Sequence, residues 1–276
     1  VSREVKLSSA SPEMDPRTAL FLAAMCGQTY MQLQGMGTIR LPEEYELVGT
    51  FQAGGLNGYS QPFGFVAKSA RASILAFRGT SSTLEWITDF MADQVDFDLI
   101  PEGGATHRGF TELYRSARPQ VMELLRQAPA GNPLFVTGHS LGGALATLAA
   151  VDLAENSDFS APVVYTFAAP RVGNPVFVAA YNKAVPQSFR IANKDDIVVH
   201  LPPLVYQDPR TKTIYYYSHV RHSSELDFKG GGISGNHVLS SYFRALALEE
   251  PEFVDAMCMD PIGWCPSPSL PGEGGK

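Results

Sequence analysis

Leu134-Phe135-Val136-Thr137-Gly138-His139-Ser140-Leu141-Gly142-Gly143 is the stretch on which the reading of this chain turns. Its first four residues form a compact apolar run with a β-branched residue inside it, suited to a strand buried on both faces of a parallel sheet. Gly138 interrupts the run, and small apolar residues then continue from Leu141 to Ala154 at helical length. Strand, tight turn and helix form the context in which Gly-x-Ser-x-Gly sets a serine on a sharp bend, the flanking glycines removing side chains that would clash. A serine hydroxyl is a weak nucleophile until a base takes its proton. The free N–H groups at the start of the following helix, that of Leu141 included, can donate to an oxyanion. Ser140 is therefore the candidate nucleophile, and the competing reading is a plain glycine turn.

The same alternation extends in both directions. A helix is expected over 16–33, with Pro16 in its first turn and Leu20, Phe21, Ala24, Met25, Gln28 and Met31 at near-helical spacing. After Gly35-Met36-Gly37 come strand-like runs at 45–51, 64–67 and 73–77, then a helix over 111–127. Beyond Ser140, strands are expected at 163–167, 188–192 and 215–220, and helices at 175–183 and 238–248. Strands alternating with helices predict an α/β architecture, a mostly parallel sheet flanked by helices. The 276 residues, 45% of them hydrophobic, suit one large domain, assigned to 1–265. A tail over 266–276, rich in Pro, Gly and Ser, is expected to be disordered.

Composition narrows the function. A net charge of −7 with no cluster of Lys or Arg argues against nucleic acid as a partner. No stretch approaches the ~20 apolar residues of an integral membrane segment. The start, Val1-Ser2-Arg3-Glu4, has neither an initiator Met nor a basic segment followed by an apolar core, so no leader is read there. The three cysteines, Cys26, Cys258 and Cys265, form no zinc-spaced cluster, and the odd count leaves at least one thiol free within a monomer. Neither a metal nor an organic cofactor is expected.

On the α/β-hydrolase sheet that such a turn belongs to, an acid and then a histidine follow the nucleophile along the chain. That order excludes His107 and His139; His139, beside Ser140, is expected to point away from it. Asp195 and Asp196 follow a late strand, as the acid must. His237 lies near the chain's end, after Gly230, Gly231, Gly232 and Gly235, and is expected to open the last helix. Order alone leaves His200, His219 and His222 open against it.

Further segments resemble a known family. Phe77-Arg78-Gly79-Thr80, Trp86-Ile87-Thr88-Asp89, His107-Arg108-Gly109-Phe110, Gly138 to Gly143, Ala169-Pro170-Arg171-Val172-Gly173-Asn174, Asp196-Ile197-Val198 with Leu201-Pro202-Pro203, and His237 before Tyr242-Phe243 stand in the order found in the fungal-type, class 3 triacylglycerol lipases. The resemblance spans about residues 20 to 245. It implies Ser140 as nucleophile, His237 as general base and acid, and Asp196 rather than Asp195 as the residue that orients His237. It also implies an oxyanion hole from Thr80 and Leu141, and structural roles for Arg78, His107, Pro170 and Arg171. Two departures, Val199 where the family has Pro and Ala168 where it has Gly, should alter the backbone more than the chemistry. The resemblance further suggests a bridge from Cys26 to Cys258 or Cys265, with Cys258 to Cys265 as competitor.

In such lipases a short helix after the Thr80 position covers the active site. Here Leu84, Ile87 and Met91 fall on one helical face with Trp86 and Phe90 beside it, giving a lid at about 82–92. Exposing that stripe to water costs roughly 25 cal/mol per Å² of apolar surface, and a lipid–water interface removes the cost. The plain alternative is that the stripe packs permanently on the core. The expectation is thus a serine carboxylic-ester hydrolase, a triacylglycerol lipase that meets the interface transiently and acts outside the cell. Its rivals are a lidless esterase, a monoacylglycerol lipase, a feruloyl esterase or a phospholipase of the same family, and a non-enzymatic lipid-binding module on a hydrolase fold.

Overall fold

A computed structural model describes residues 7, 13–33, 39–54, 60–80, 92–129 and 131–266. The expected lid residues Leu84, Trp86, Ile87, Phe90 and Met91, the Gly35-Met36-Gly37 turn and all of the expected tail after Pro266 lie outside the described residues.

Eleven strands are described: β1 (Glu46–Gly54), β2 (Ser60–Lys68), β3 (Ser73–Phe77), β4 (Gln94–Asp96), β5 (Ala105–His107), β6 (Leu134–His139), β7 (Val163–Phe167), β8 (Ser188–Asn193), β9 (Val205–Gln207), β10 (Ile214–Tyr216) and β11 (Ser223–Leu226). Seven of them form the main sheet in the order β1-β2-β3-β6-β7-β8-β11. The β1/β2 and β2/β3 pairs are antiparallel, and every later pair is parallel. The helices are α1 (Pro16–Leu33), α2 (Arg108–Leu125), α3 (Leu141–Asn156), α4 (Pro175–Ala184), α5 (Ile233–His237), α6 (Leu239–Ala247) and α7 (Pro251–Cys258). This is the α/β-hydrolase fold, a mostly parallel central sheet flanked by helices.

The period-two alternation of strand side chains feeds two cores. Leu75, Phe77, Leu134, Val136 and Val164 pack on the side of α2 and α3, whereas Ile74, Ala76, Phe135, Val163 and Tyr165 pack on the side of α1 and α6. Both faces of β3, β6 and β7 are buried, which is why these strands read as continuous apolar runs. Helix α3 is buried from Leu141 to Leu153. Its one buried charge, Asp152, accepts from Tyr114 Oη at 2.5 Å, Arg118 Nε at 2.6 Å and Arg118 Nη2 at 3.0 Å. A buried carboxylate is tolerated only when its acceptors are met in this way.

The structure corrects four readings. The run 215–220 is not one strand: only Ile214–Tyr216 is extended, in a hairpin with Val205–Gln207 apart from the main sheet. Asp208 Oδ1 builds its turn by accepting from the N–H of Arg210 and Thr211. The seventh strand of the sheet is Ser223–Leu226, whose Ser-Ser-Glu-Leu composition carries no apolar pattern because it is an exposed edge. His237 ends the short helix α5 rather than opening the final one, and a further helix, α7, follows. Finally, the disulfide joins Cys258 to Cys265, and Cys26 is free and buried against Thr137. Burial pushes the Cys26 thiol up to about 12.

This pairing sets a thiol count. Unreduced native chain should react with no thiol reagent, unreduced unfolded chain should expose one thiol, and reduced unfolded chain three. Three thiols in the unreduced unfolded chain would overturn the assignment.

Candidate active site

The site is built where β6 ends. Ser140 sits at φ 58°, ψ −127°, a left-handed backbone that a non-glycine residue adopts only when its surroundings impose it. Its own N–H is held by Phe167 O of the neighbouring strand at 2.9 Å, and α3 begins at the next residue. The start of α3 presses on the end of β3 so closely that a Cβ on Gly142 would lie 2.4 Å from Phe77 O. The segment leaving β3 passes along the other side of the bend. A Cβ on Gly79 would lie 2.6 Å from His139 O and 3.2 Å from Ser140 Cβ. Thr80 follows, half-buried, its Oγ1 without a hydrogen-bond partner among the described residues. Leu141 is the first residue of α3, where N–H groups have no partner within the helix.

Three side chains far apart in sequence meet at this bend. His237 Nε2 lies 2.8 Å from Ser140 Oγ, and His237 Nδ1 lies 2.8 Å from Asp196 Oδ2. All three residues are buried, none more than 1% exposed. Asp196 follows β8 and begins a 3-10 turn, its Oδ1 accepting from Val198 N–H at 2.9 Å. A third donor, the Tyr242 hydroxyl, reaches the same Oδ2 at 2.8 Å while accepting from Asn193 N–H. Burial, and then the charge of Asp196, hold the Tyr242 phenol well above its usual range, so it stays a donor. An ionised carboxylate has acceptor sites for all of these donors, and the imidazole is left with its bare nitrogen toward the serine.

The other candidates are elsewhere. Asp195 is exposed, and its carbonyl accepts from Asn236 Nδ2 at 3.1 Å. His200 faces Lys194 O at 3.2 Å, His219 faces Val199 O at 2.6 Å, and His222 is exposed. Arg78 lies 4.6 Å over the Phe63 ring and donates to Gln61, His107 caps α2, and Arg171 Nη1 donates to the carbonyls of His200 and Pro202. Among the described residues no three His, Cys, Asp or Glu side chains gather as a metal site, and no helix is long and apolar enough to cross a membrane.

Tyr30, His139 and Tyr242 also belong to this cluster, and sequence order pointed to none of them. His139 does not simply point away from its neighbour: its Nε2 lies 2.7 Å from His237 O and its Nδ1 2.7 Å from the Tyr30 hydroxyl. Burial first, and His237 second, push its pKa down to about 3. Tyr242 stands in the family-like His237 segment, a signal that marked the position without a role.

Residues 74–206 match the family model for class 3 lipases. A secreted mono- and diacylglycerol lipase of Fusarium solani is 35% identical over 147 residues, covering 52% of this chain and 43% of that protein. A phospholipase A1 of indica rice is 29% identical over 218 residues, covering 65% and 54%. The chain thus spans about half the length of these relatives. Among solved structures, lipase II of Rhizopus niveus superposes with a TM-score of 0.57 at 29% identity, covering 68% of this chain and 75% of that one.

His139, buried, and His219, half-buried, set an acid limit on stability. Burial is also the first cause that pushes His219 down to about 3. Below the ordinary histidine value of 6.5 the unfolded chain binds protons that folded His139 and His219 do not. Stability is therefore full above that value and is lost as the pH falls toward 3, by up to about 1.4 kcal/mol per pH unit for each. Urea unfolding between about pH 6.5 and 5, above the ordinary carboxylate range, should show this decline, and His139→Gln should roughly halve it. A midpoint independent of pH across that window would contradict the assignment.

Proposed function

From the match of residues 74–206 to the class 3 lipase family, we propose that the chain belongs to that family and is a serine carboxylic-ester hydrolase acting on acylglycerols, with triacylglycerol as its principal substrate. The observation that carries the reading is the continuous hydrogen-bond chain from Ser140 through His237 to Asp196, buried at a strand–helix bend. In this reading His237 takes the Ser140 proton as the hydroxyl attacks the ester carbonyl. Asp196 fixes the tautomer that leaves Nε2 free and stabilises the imidazolium that forms. The N–H groups of Thr80 and Leu141 receive the developing oxyanion, each worth about 3 to 4 kcal/mol in the transition state. His237 then gives its proton to the leaving alcohol. Water, activated by the same imidazole, frees the fatty acid from Ser140.

The catalytic unit in this proposal is one hydrolase domain over 1–265, closed by a lid at about 82–92. The lid is supported by the apolar stripe of Leu84, Trp86, Ile87, Phe90 and Met91. Work outside the cell is supported by the Cys258–Cys265 disulfide, a bond that persists in oxidising compartments, and by the secreted Fusarium relative. A second reading, a phospholipase of the same family, is favoured by the rice relative, whose match extends over 218 residues.

Ser140→Ala should lower ester hydrolysis by at least about 10⁴-fold with the far-UV circular dichroism unchanged. Asp196→Asn should lower kcat by about 10⁴-fold. Asp195→Asn, a surface change of about 0.5 kcal/mol or less, should stay within about threefold; the reverse ranking of the two acids would sink the assignment.

A triacylglycerol assayed across its solubility limit tests the lid. The rate should jump at the emulsion, and lose that jump when Leu84, Ile87 and Met91 are made polar. Equal rates on both sides would leave a lidless esterase, and release of fatty acid from phosphatidylcholine but not from triacylglycerol would favour the second reading.

A further inference from the structure

The base in this site is held at its ring by Asp196, but the ring is only as well placed as the backbone that carries it. Within its own segment the peptide after His237 is held at Val238 N–H, which bonds Ser234 O at 2.9 Å, but its carbonyl meets no local donor among the described residues. His237 closes α5, a single turn entered through Gly231 and Gly232 at φ 86° and 140°, and Val238 is already extended. At a helix end the last carbonyls lack donors from their own helix. Ser241 N–H, four residues on and the regular donor to His237 O, bonds Val238 O instead at 3.0 Å. Asn236, one residue before, ties the turn to Asp195 O and Gly230 N–H, but neither bond touches His237.

The carbonyl of His237 is met from the other side by His139 Nε2 at 2.7 Å. A carbonyl only accepts, so this nitrogen carries the proton. The ring is neutral, being buried beside a second imidazole with centroids 4.9 Å apart, and its low pKa agrees with this. Nδ1 is therefore bare and accepts, and the Tyr30 hydroxyl donates to it at 2.7 Å. Tyr30 comes from α1, and a Cβ on Gly79 would lie 2.3 Å from its hydroxyl, so the segment carrying Thr80 rests on the same group. Direction is fixed at every step: Tyr30 O–H donates to His139, and His139 N–H donates to the main chain of His237.

Resting on the hydrolase reading of the site, we propose that His139 is a positioning residue for the general base, holding the His237 main chain in register with Ser140 through a tautomer enforced by Tyr30. It does not touch substrate and exchanges no proton during turnover. Its contribution lies in placing Nε2 of His237, because a reacting group displaced by about 1 Å can lose about 100-fold in rate.

The test uses the whole chain and a soluble short-chain p-nitrophenyl ester, for which no interface is needed. His139→Gln can place an amide N–H near the original Nε2, whereas His139→Asn offers polar atoms only near Nδ1 and His139→Phe offers none. His139→Asn and His139→Phe should lower kcat by about 10- to 100-fold with KM within about twofold. His139→Gln should recover to within about threefold of wild type. Tyr30→Phe keeps the ring packing but frees the tautomer, and should lower kcat about 3- to 10-fold, the equivalent of one ordinary hydrogen bond. The rate of fluorophosphonate labelling at Ser140 should fall in parallel. If His139→Phe does not fold, His139→Gln and Tyr30→Phe carry the test. Wild-type kcat in Tyr30→Phe, or His139→Gln no better than His139→Asn, would overturn the positioning role. A wild-type chain that fluorophosphonate does not label at Ser140 would instead overturn the hydrolase reading itself.

Discussion

The organising constraint of this molecule is a serine held in a backbone conformation it would not choose. A non-glycine residue at positive φ costs of order 1 to 3 kcal/mol, and it persists only where its neighbours over-determine it. Here they do. β6 lies inside the parallel part of the sheet between β3 and β7, so the end of the strand is fixed on both edges. The Ser140 N–H is anchored on β7, and α3 is clamped between the sheet and α2 before its first turn is complete. Were the helix free to shift outward by the width of one side chain, the bend would relax and the hydroxyl would swing away from His237. The absence of a side chain at Gly142 is thus as much a part of the site as the hydroxyl two residues earlier.

Ser140 is buried at the bend, and burial then dictates the rest of the polar arrangement. Each buried donor needs an acceptor and each buried charge needs several donors. The assignments close without contradiction. Val198 N–H, Tyr242 O–H and His237 N–H all point at one carboxylate, and Tyr242 accepts from Asn193 N–H so that its own lone pair is used. Among the described residues joined by these bonds, Asp196 supplies the one carboxylate. The imidazole of His139 and the phenols of Tyr30 and Tyr242 transmit direction through the cluster by their donors and acceptors.

What the sequence made legible follows the same physics. Strands buried on both faces are mostly apolar, so 134–137 and 163–167 could be read directly, and β3 was located to the residue. The bend could be read because close backbone contact demands glycine. The edge strand Ser223–Leu226 could not, since one exposed strand has no reason to be hydrophobic. The run 215–220 misled for the opposite reason: Tyr217 is buried by turning away to donate to Ala92 O, not by continuing a strand. The meeting of Asp196 with His237 rests on tertiary placement of loops, and order alone left three other histidines open. Tyr30 and His139 left no mark because their role depends on which carbonyl lacks a donor, a property of the folded backbone alone.

Helix α1 shows why such a site cannot be separated from the body that carries it. It is buried from Thr18 to Tyr30, so its rotation and height are set by packing against β2, β3 and β6 on one side and α6 on the other. Near its end, Gln28 accepts from Arg40 N–H at 2.8 Å and donates to Trp264 O at 2.8 Å, and Trp264 packs against Phe21 beside the Cys258–Cys265 disulfide. Two residues further on, the Tyr30 hydroxyl bonds the His139 ring at 2.7 Å. A movement of the C-terminal segment that shifted α1 by a fraction of an ångström would therefore be felt at the Tyr30 hydroxyl, since a close-packed interior transmits displacement instead of absorbing it. The helix that packs on the sheet thereby also bears, through Tyr30 and His139, on the main chain of His237.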